Sequence, residues 1–311
     1  VERLRAELAE AAAGQRFVLQ GGDCSEKFKD CTAKAVLRKL QLLLQISLLL
    51  TGAIQKPVTR IGRLAGQYAK PQNETGQTSG KAIQAYRGDM VNSLEQETAL
   101  RRPDPRRMLD GYHHATASLN YIRALIEGGF ADLRSMEKWD IVFSGESEDG
   151  KAYRKMVDSI VKAFDMLEPF GMAPASEKVQ RMNFYTSHEA LLLPYEEALT
   201  RYDAQKKAYN LGAHFLWLGY RTGNPDGAHV EYLRGIANPL GIKVGTGLKP
   251  DTLLELLDVL NPAAVPGKIT LITRFGADNI AGELPRMIKA VRKSGHSVLW
   301  CCDPMHGNTE Y

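Results

Sequence analysis

Seven short apolar runs rich in β-branched residues recur along the 311 residues, and between most of them lie segments with helical periodicity. That alternation constrains the chain more than any other feature, because strands separated by helices pair in parallel and need helices to cover the sheet. The runs are "RFVLQGG" (16–22), "PVTRIGRLAG" (57–66), "NFYTSH" (183–188), "HFLWLGYR" (214–221), "GIKVG" (241–245), "KITLITRFG" (268–276) and "HSVLWCCDP" (296–304). Between the last four, segments such as "DTLLELLDVL" (251–260) and "ELPRMIKAVRKSG" (283–295) supply helices that stop at Asn-Pro or Gly. The pattern predicts a parallel α/β barrel.

One gap breaks the rhythm. Residues 67–182 are too many for a single crossover and hold a polar loop, "KPQNETGQTSGKA", followed by the Pro-punctuated "RRPDPRRMLDGYHHATASLNYIRALIEGG". "YRKMVDSIVKAFDML" then places Met156, Ile160, Val161, Phe164 and Leu167 at helical spacing. The segment reads as a mostly helical insertion after the second strand of one barrel domain, with a separate small domain as the other reading.

Composition narrows the function. The 44% hydrophobic content can fill a large core. Forty basic and 36 acidic residues leave a net charge of +4, spread rather than gathered into a stripe, which disfavours nucleic acid and leaves small anions as ligands. Four cysteines (Cys24, Cys31, Cys301, Cys302) make no disulfide framework and suggest a reducing compartment, with thiols free for metal. The longest apolar stretch, "LRKLQLLLQISLLLTGAI" (37–54), carries Gln41, Gln45 and Ser47 and reads as a buried helix rather than a membrane span. The chain opens without Met in a helical pattern, so any targeting peptide would lie upstream.

The strand ends carry the chemistry. Asp23 and Cys24, Arg63, Glu189, Arg221, Lys243, Arg274, Asp303 and His306 all stand at or just past the ends of the apolar runs. In a parallel barrel those ends converge on one face. Three arginines and a lysine gathered there need anions, and bidentate guanidinium suits phosphate and carboxylate. Cys24 and His306 would face each other from the first and seventh strands as a soft and a borderline metal ligand. On spacing alone they equally read as a packed small hydrophobe and a capped loop residue, or as a nucleophilic Cys–His pair.

Other signals are weaker. "GTGLKP" (245–250) lacks the third glycine of a dinucleotide fingerprint, and "NET" (73–75) has no secretory context. Vicinal Cys301 and Cys302 point to opposite faces of a strand. His113, His114, His214 and His229 read as structural.

The runs "LQGGDCSEKF", "GRLAGQYAKP", "YRGDMVN", "TSHEALLLPYEEALTR", "DGAHVEYLRGIANPLGIKVG" and "CCDPMHGNT", spread from about residue 2 to 309, resemble the type II 3-deoxy-D-arabino-heptulosonate 7-phosphate (DAHP) synthases, most closely the plant and fungal ones. The resemblance implies a TIM (β/α)8 barrel that condenses phosphoenolpyruvate with erythrose 4-phosphate, the first step of the shikimate pathway, with a divalent metal (Mn, Co, Zn or Fe). It implies that Cys24 and His306 are metal ligands, with the family's Glu and Asp ligands beyond residue 311. It implies that Arg63, Arg221, Lys243 and Arg274 bind phosphoenolpyruvate, that Lys70 binds the sugar phosphate, and that Cys24, Lys243 and His306 are catalytic. A homo-oligomer, an aromatic amino acid effector near helices 105–127 and 153–167, and a cytoplasmic location, or a plastid one in a plant, follow from the same resemblance.

Three departures qualify it. Seven strands are visible where the barrel needs eight, and the chain stops five residues past His306. The family's Lys-Pro-Arg-Ser reads Lys70-Pro71-Gln72-Asn73 here, and its Gly-Glu-Arg-Thr-Arg-Gln reads Gly219-Tyr220-Arg221-Thr222-Gly223-Asn224. On these grounds a catalytically inactive relative that binds phosphoenolpyruvate, an aromatic effector or a partner subunit stands as the second reading.

Overall fold

A computed structural model of the chain describes residues 1–69, 76–78, 81–131, 148–167 and 182–308. Seven strands form one parallel sheet in chain order: β1 (Phe17–Gly22), β2 (Val58–Arg63), β5 (Tyr185–Glu189), β8 (Phe215–Leu218), β9 (Leu240–Gly245), β10 (Ile269–Arg274) and β11 (Val298–Cys302). Two short antiparallel hairpins, β3–β4 (Gly76–Thr78, Lys81–Ile83) and β6–β7 (Thr200–Tyr202, Ala208–Asn210), lie outside it. The sheet curls until its first and last strands nearly meet, giving a nearly closed seven-stranded TIM-like barrel: the Cys24 thiol, just past β1, comes within 3.5 Å of His306, just past β11.

The sequence overestimated several strands for a local reason. β2 stops at Arg63 rather than Gly66, because Ala65 takes a left-handed backbone conformation (φ 65°) that ends pairing. β8 stops at Leu218 rather than Arg221, because Gly219 opens a 3-10 turn over Tyr220–Thr222. Both short hairpins went unread, since strands of three residues leave almost no periodicity.

Alternation along each strand separates two faces. Ile61, Tyr185, Phe215, Trp217, Ile272 and Leu299 meet inside the barrel together with Leu4 and Leu8 of helix α1 (Glu2–Ala12). Helix α1 closes one end of the interior. The outer face carries Leu216, Leu218, Leu240, Ile242, Val244 and Leu271, packed against helices α6 (Ala228–Arg234), α7 (Pro250–Leu260) and α8 (Ala277–Ser294).

Helix α2 (Ala33–Ile54) is long and apolar enough to cross a membrane by length and composition. In the fold it covers β1 and β2, with Val36, Leu40, Leu43, Leu44 and Leu48 buried, and Leu40, Leu44 and Leu48 share a cluster with Val157 of α4 (Glu148–Leu167). Its buried Ser47 donates to the Leu44 carbonyl and accepts from Arg60. A fully apolar covering helix would leave Arg60 without a partner. Helix α3 (Arg106–Glu127) packs on the same side through Ile122, and α5 (Leu193–Ala198) follows β5.

Candidate active site

On four of the seven strands the inward set of the alternation leads to a polar or charged group at the carboxyl end. On β2 it runs Thr59, Ile61, Arg63; on β5 Tyr185, Ser187, Glu189; on β10 Ile272, Arg274. On β11 it runs Leu299, Cys301 and then Asp303, while Cys302 is exposed on the other face. Apolar residues thus fill the barrel's middle and charges sit at its carboxyl end.

Arg63 is stacked 4.6 Å from the centroid of the Trp217 ring, and one terminal nitrogen donates to the Cys24 carbonyl at 3.1 Å. Its Nε is buried without a hydrogen-bond partner, and burial lowers its pKa. Arg274 lies 5.7 Å from the Tyr220 ring centroid, and its Nε is likewise buried and unpartnered. A buried guanidinium N–H without an acceptor is costly, and an incoming oxyanion removes the cost.

Lys243 donates to Asp303, and Asp303 also accepts from His306 Nδ1 at 2.8 Å. Burial would raise the Asp303 carboxyl, but the bonds from His306 and Lys243 outweigh it and hold the group well below the carboxylate range. Those bonds aim His306 Nε2 at Cys24 Sγ, 3.5 Å away. Asp303 and Cys24 in turn raise the His306 imidazole to about 9. On β5, burial pushes the Glu189 carboxyl up, opposed by Arg63, Lys243 and a hydrogen bond with Trp217.

The Cys24 and Arg63 loops are bolted together by a residue that nothing in the sequence marked. Glu26 is buried and accepts three successive backbone N–H groups, from Ala65 (3.1 Å), Gly66 (3.0 Å) and Gln67 (2.9 Å). Its own N–H donates to the Gln67 carbonyl at 2.7 Å. Burial raises its carboxyl, and the backbone bonds pull it only part of the way back. Gln67 continues the chain of contacts by accepting from the Glu189 N–H at 2.9 Å. Three strand ends are therefore tied together, and the left-handed Ala65 is held by Glu26.

A family model for the class-II DAHP synthetases matches residues 1–311. The chain belongs to that family. Among curated proteins it is similar to the phospho-2-dehydro-3-deoxyheptonate aldolase of Neurospora crassa, with 44% identity over 326 residues that cover 99% of this chain and 67% of that one. The Streptomyces coelicolor protein of the same name is 42% identical over 310 residues, covering 99% and 68%. The AroG protein of Mycolicibacterium smegmatis is 39% identical over 315 residues, covering 99% and 67%. The chain spans about two thirds of the length of each of these relatives.

Of the site residues expected from the sequence, Cys24, Arg63, Lys243, Arg274 and His306 stand at the same end of the barrel. Arg221 lies on the exposed turn after β8 rather than at a strand end. Lys70, with Gln72 and Asn73, lies outside the described residues. Reasoning from sequence gave no role to Asp303, Trp217, Glu26 or Gln67. Asp303 stands among the strand-end groups legible in the sequence, though its bonds to Lys243 and His306 do not show there, and no local signal marks Glu26, whose partners lie about forty residues away.

The donors fit a divalent metal in kind. Cys24 and His306 present a thiol and an imidazole nitrogen to one point, and Asp303 behind the imidazole fixes its ring and tautomer as carboxylates do behind metal-bound histidines. Among the described residues no cluster of three or more metal-binding side chains occurs.

Proposed function

We propose that this chain condenses phosphoenolpyruvate with erythrose 4-phosphate and water to give DAHP and phosphate, the entry to aromatic amino acid biosynthesis. The observation that carries the reading is the pair of strand-end arginines, each lying over an aromatic ring and each with a buried, unpartnered Nε, beside Lys243 and the Cys24–His306 pair. Family membership selects phosphoenolpyruvate among the small dianions this face suits.

In this reading Arg63, Arg274 and Lys243, with Arg221 from the rim, grip the phosphate and carboxylate of phosphoenolpyruvate. Their grip holds its methylene carbon toward the aldehyde carbon of erythrose 4-phosphate, where proximity and orientation contribute most. The methylene carbon bonds to the aldehyde carbon, and the aldehyde oxygen ends as a hydroxyl. Water adds at the carbon bearing the phosphate, whose C–O bond then breaks. The same cations stabilise the departing phosphate. When bound by Cys24 and His306, a divalent ion of the Mn, Co, Zn or Fe kind supplies a Lewis acid for the aldehyde oxygen. Asp303 keeps Lys243 and His306 in place, and Lys70 remains assigned to the sugar phosphate.

We read residues 67–182 as an insertion within one barrel domain, and a reducing compartment suits four cysteines that form no disulfide. Exposed Leu109 and Tyr112 on α3 line a cavity of about 620 Å³ with Tyr195 and Leu211, which supports placing a homo-oligomer interface or an aromatic effector there.

The test is loss of phosphoenolpyruvate ultraviolet absorbance on adding erythrose 4-phosphate to the purified chain with Mn²⁺, beside a His306→Ala control. Turnover that disappears in the control is expected. A folded chain that binds phosphoenolpyruvate without turnover would replace the reading with that of an inactive relative.

A further inference from the structure

Arg274 and Tyr220 form a unit that the shared chemistry of the site does not require. Arg274 ends β10, and Tyr220 stands on the turn after β8, with its ring centroid 5.7 Å from the guanidinium carbon. The ring is anchored at its far end, where the Tyr220 hydroxyl donates to the Thr246 carbonyl at 2.6 Å. Gly245, at the end of β9, makes the slot: a Cβ there would stand 3.3 Å from the Tyr220 ring and 3.4 Å from the Arg274 Cγ. Three strand ends thus contribute to one seat.

Among the described residues no carboxylate pairs with the Arg274 guanidinium in this seat. No ion pair found among the described residues involves Arg274, and its Nε is buried without an acceptor. An aromatic face and a carboxylate both attract guanidinium, with opposite consequences. The carboxylate takes two N–H groups in plane and cancels the charge; the ring attracts from above, leaving both charge and in-plane donors available.

We infer that Tyr220 is a positioning residue, an aromatic platform that orients Arg274 toward the anionic groups of phosphoenolpyruvate and leaves its donors unspent. The inference rests on the proposed function for the identity of the ligand, and on the geometry alone for the presence of an anion.

The experiment titrates phosphoenolpyruvate, and separately inorganic phosphate, into the Mn²⁺-loaded chain by calorimetry, alongside KM and kcat for both substrates. Tyr220→Leu should raise the phosphoenolpyruvate Kd and KM by about 3- to 30-fold, the range open to a stacked cation. Its kcat should stay within about threefold, and its KM for erythrose 4-phosphate and its Tm should stay at wild-type values. Tyr220→Phe, which keeps the ring and loses the Thr246 bond, should stay within about threefold of wild type throughout. Arg274→Lys should cost less in the Tyr220→Leu background than in wild type, because its partner is already gone.

An unchanged Kd in Tyr220→Leu overturns the inference, as does a Tyr220→Phe variant as weak as Tyr220→Leu. Strictly additive costs in the double variant, or a wild-type chain that binds neither phosphoenolpyruvate nor phosphate, do so too. A wild type that binds these anions without turnover removes the functional reading while the Kd comparison still decides the role of Tyr220.

Discussion

Arg60 and Arg63 stand three residues apart on β2, and burial lowers the pKa of both, that of Arg60 to about 10. Their surroundings differ completely. Arg60, on the outer face, donates its Nε to Ser47 of α2 with the Glu7 carboxylate nearby. Arg63, on the inner face, has an aromatic ring on one side, a carbonyl at one end, and a buried Nε with nothing to bond.

The two ends of the barrel differ in the same way. At the amino end Glu7 accepts from Thr59 (2.7 Å), Asn183 (3.0 Å) and Tyr185 (2.8 Å), and Lys268 donates to the Ile236 and Asn238 carbonyls. There Glu7 and Lys268 spend their hydrogen bonds on protein partners, and their effect is stability. At the carboxyl end the arginines keep donors in reserve. The contrast is the expected division of a parallel barrel, with stability at one face and chemistry at the other.

The sharpest way to break this comparison is Arg63→Leu. Catalytic efficiency should fall about 1000-fold, a loss of roughly 4 kcal/mol of transition-state stabilisation. Stability in urea should fall by no more than about 1 kcal/mol, since the single hydrogen bond to the Cys24 carbonyl is lost while the buried, unpartnered Nε is removed with it. Equal losses of stability and activity would show that Arg63 is a structural residue like Arg60.

A second test uses pH at the amino end. His214 precedes β8, accepts from the Thr186 N–H at 3.1 Å, and is pushed down to about 4, chiefly by burial. Its folded pKa lies below the ordinary 6.5, so between those values the unfolded chain binds a proton that the folded chain refuses. Its contribution is complete above pH 6.5 and is lost as pH falls toward 4, by about 3 kcal/mol. Urea midpoints measured across that window should fall in wild type and fall less steeply in His214→Gln; parallel slopes would remove His214 from the account.

Glu7→Gln should cost about 2 kcal/mol of stability, because one carboxamide oxygen cannot serve three donors. Catalytic efficiency should stay within about threefold of wild type. A larger loss of activity would dissolve the boundary between the two ends. The smallest effect belongs to Cys302→Ser. Exposed on the outer face of β11, it should change stability by less than about 0.5 kcal/mol and leave turnover unaltered. Cys301→Ser, facing the interior cluster, should cost measurably more in the same melts.

Much of the candidate site's grouping was legible before the fold. Cys24, Arg63, Lys243, Arg274 and His306 could all be picked from the ends of apolar runs, because a parallel barrel brings such ends to one face. Strand boundaries were less legible: Ala65 is not a residue whose left-handed conformation can be foreseen, and Glu26 stabilises that conformation from a different loop. Arg221 looked like a strand end until Gly219 turned the chain.

Alternation, composition and motif thus settled the parallel barrel, the apolar middle of each strand, the polar ends and the family. They could not settle which arginine of β2 faces inward, because barrel strands are apolar on both faces and a period of two does not name the inner one. Nor could they show that Trp217 and Tyr220 carry the arginines, that Asp303 aims His306, or that Glu26 joins two loops. Those depend on contacts between distant residues, such as Cys24 and His306, which are 282 positions apart. Only closure of the sheet creates them.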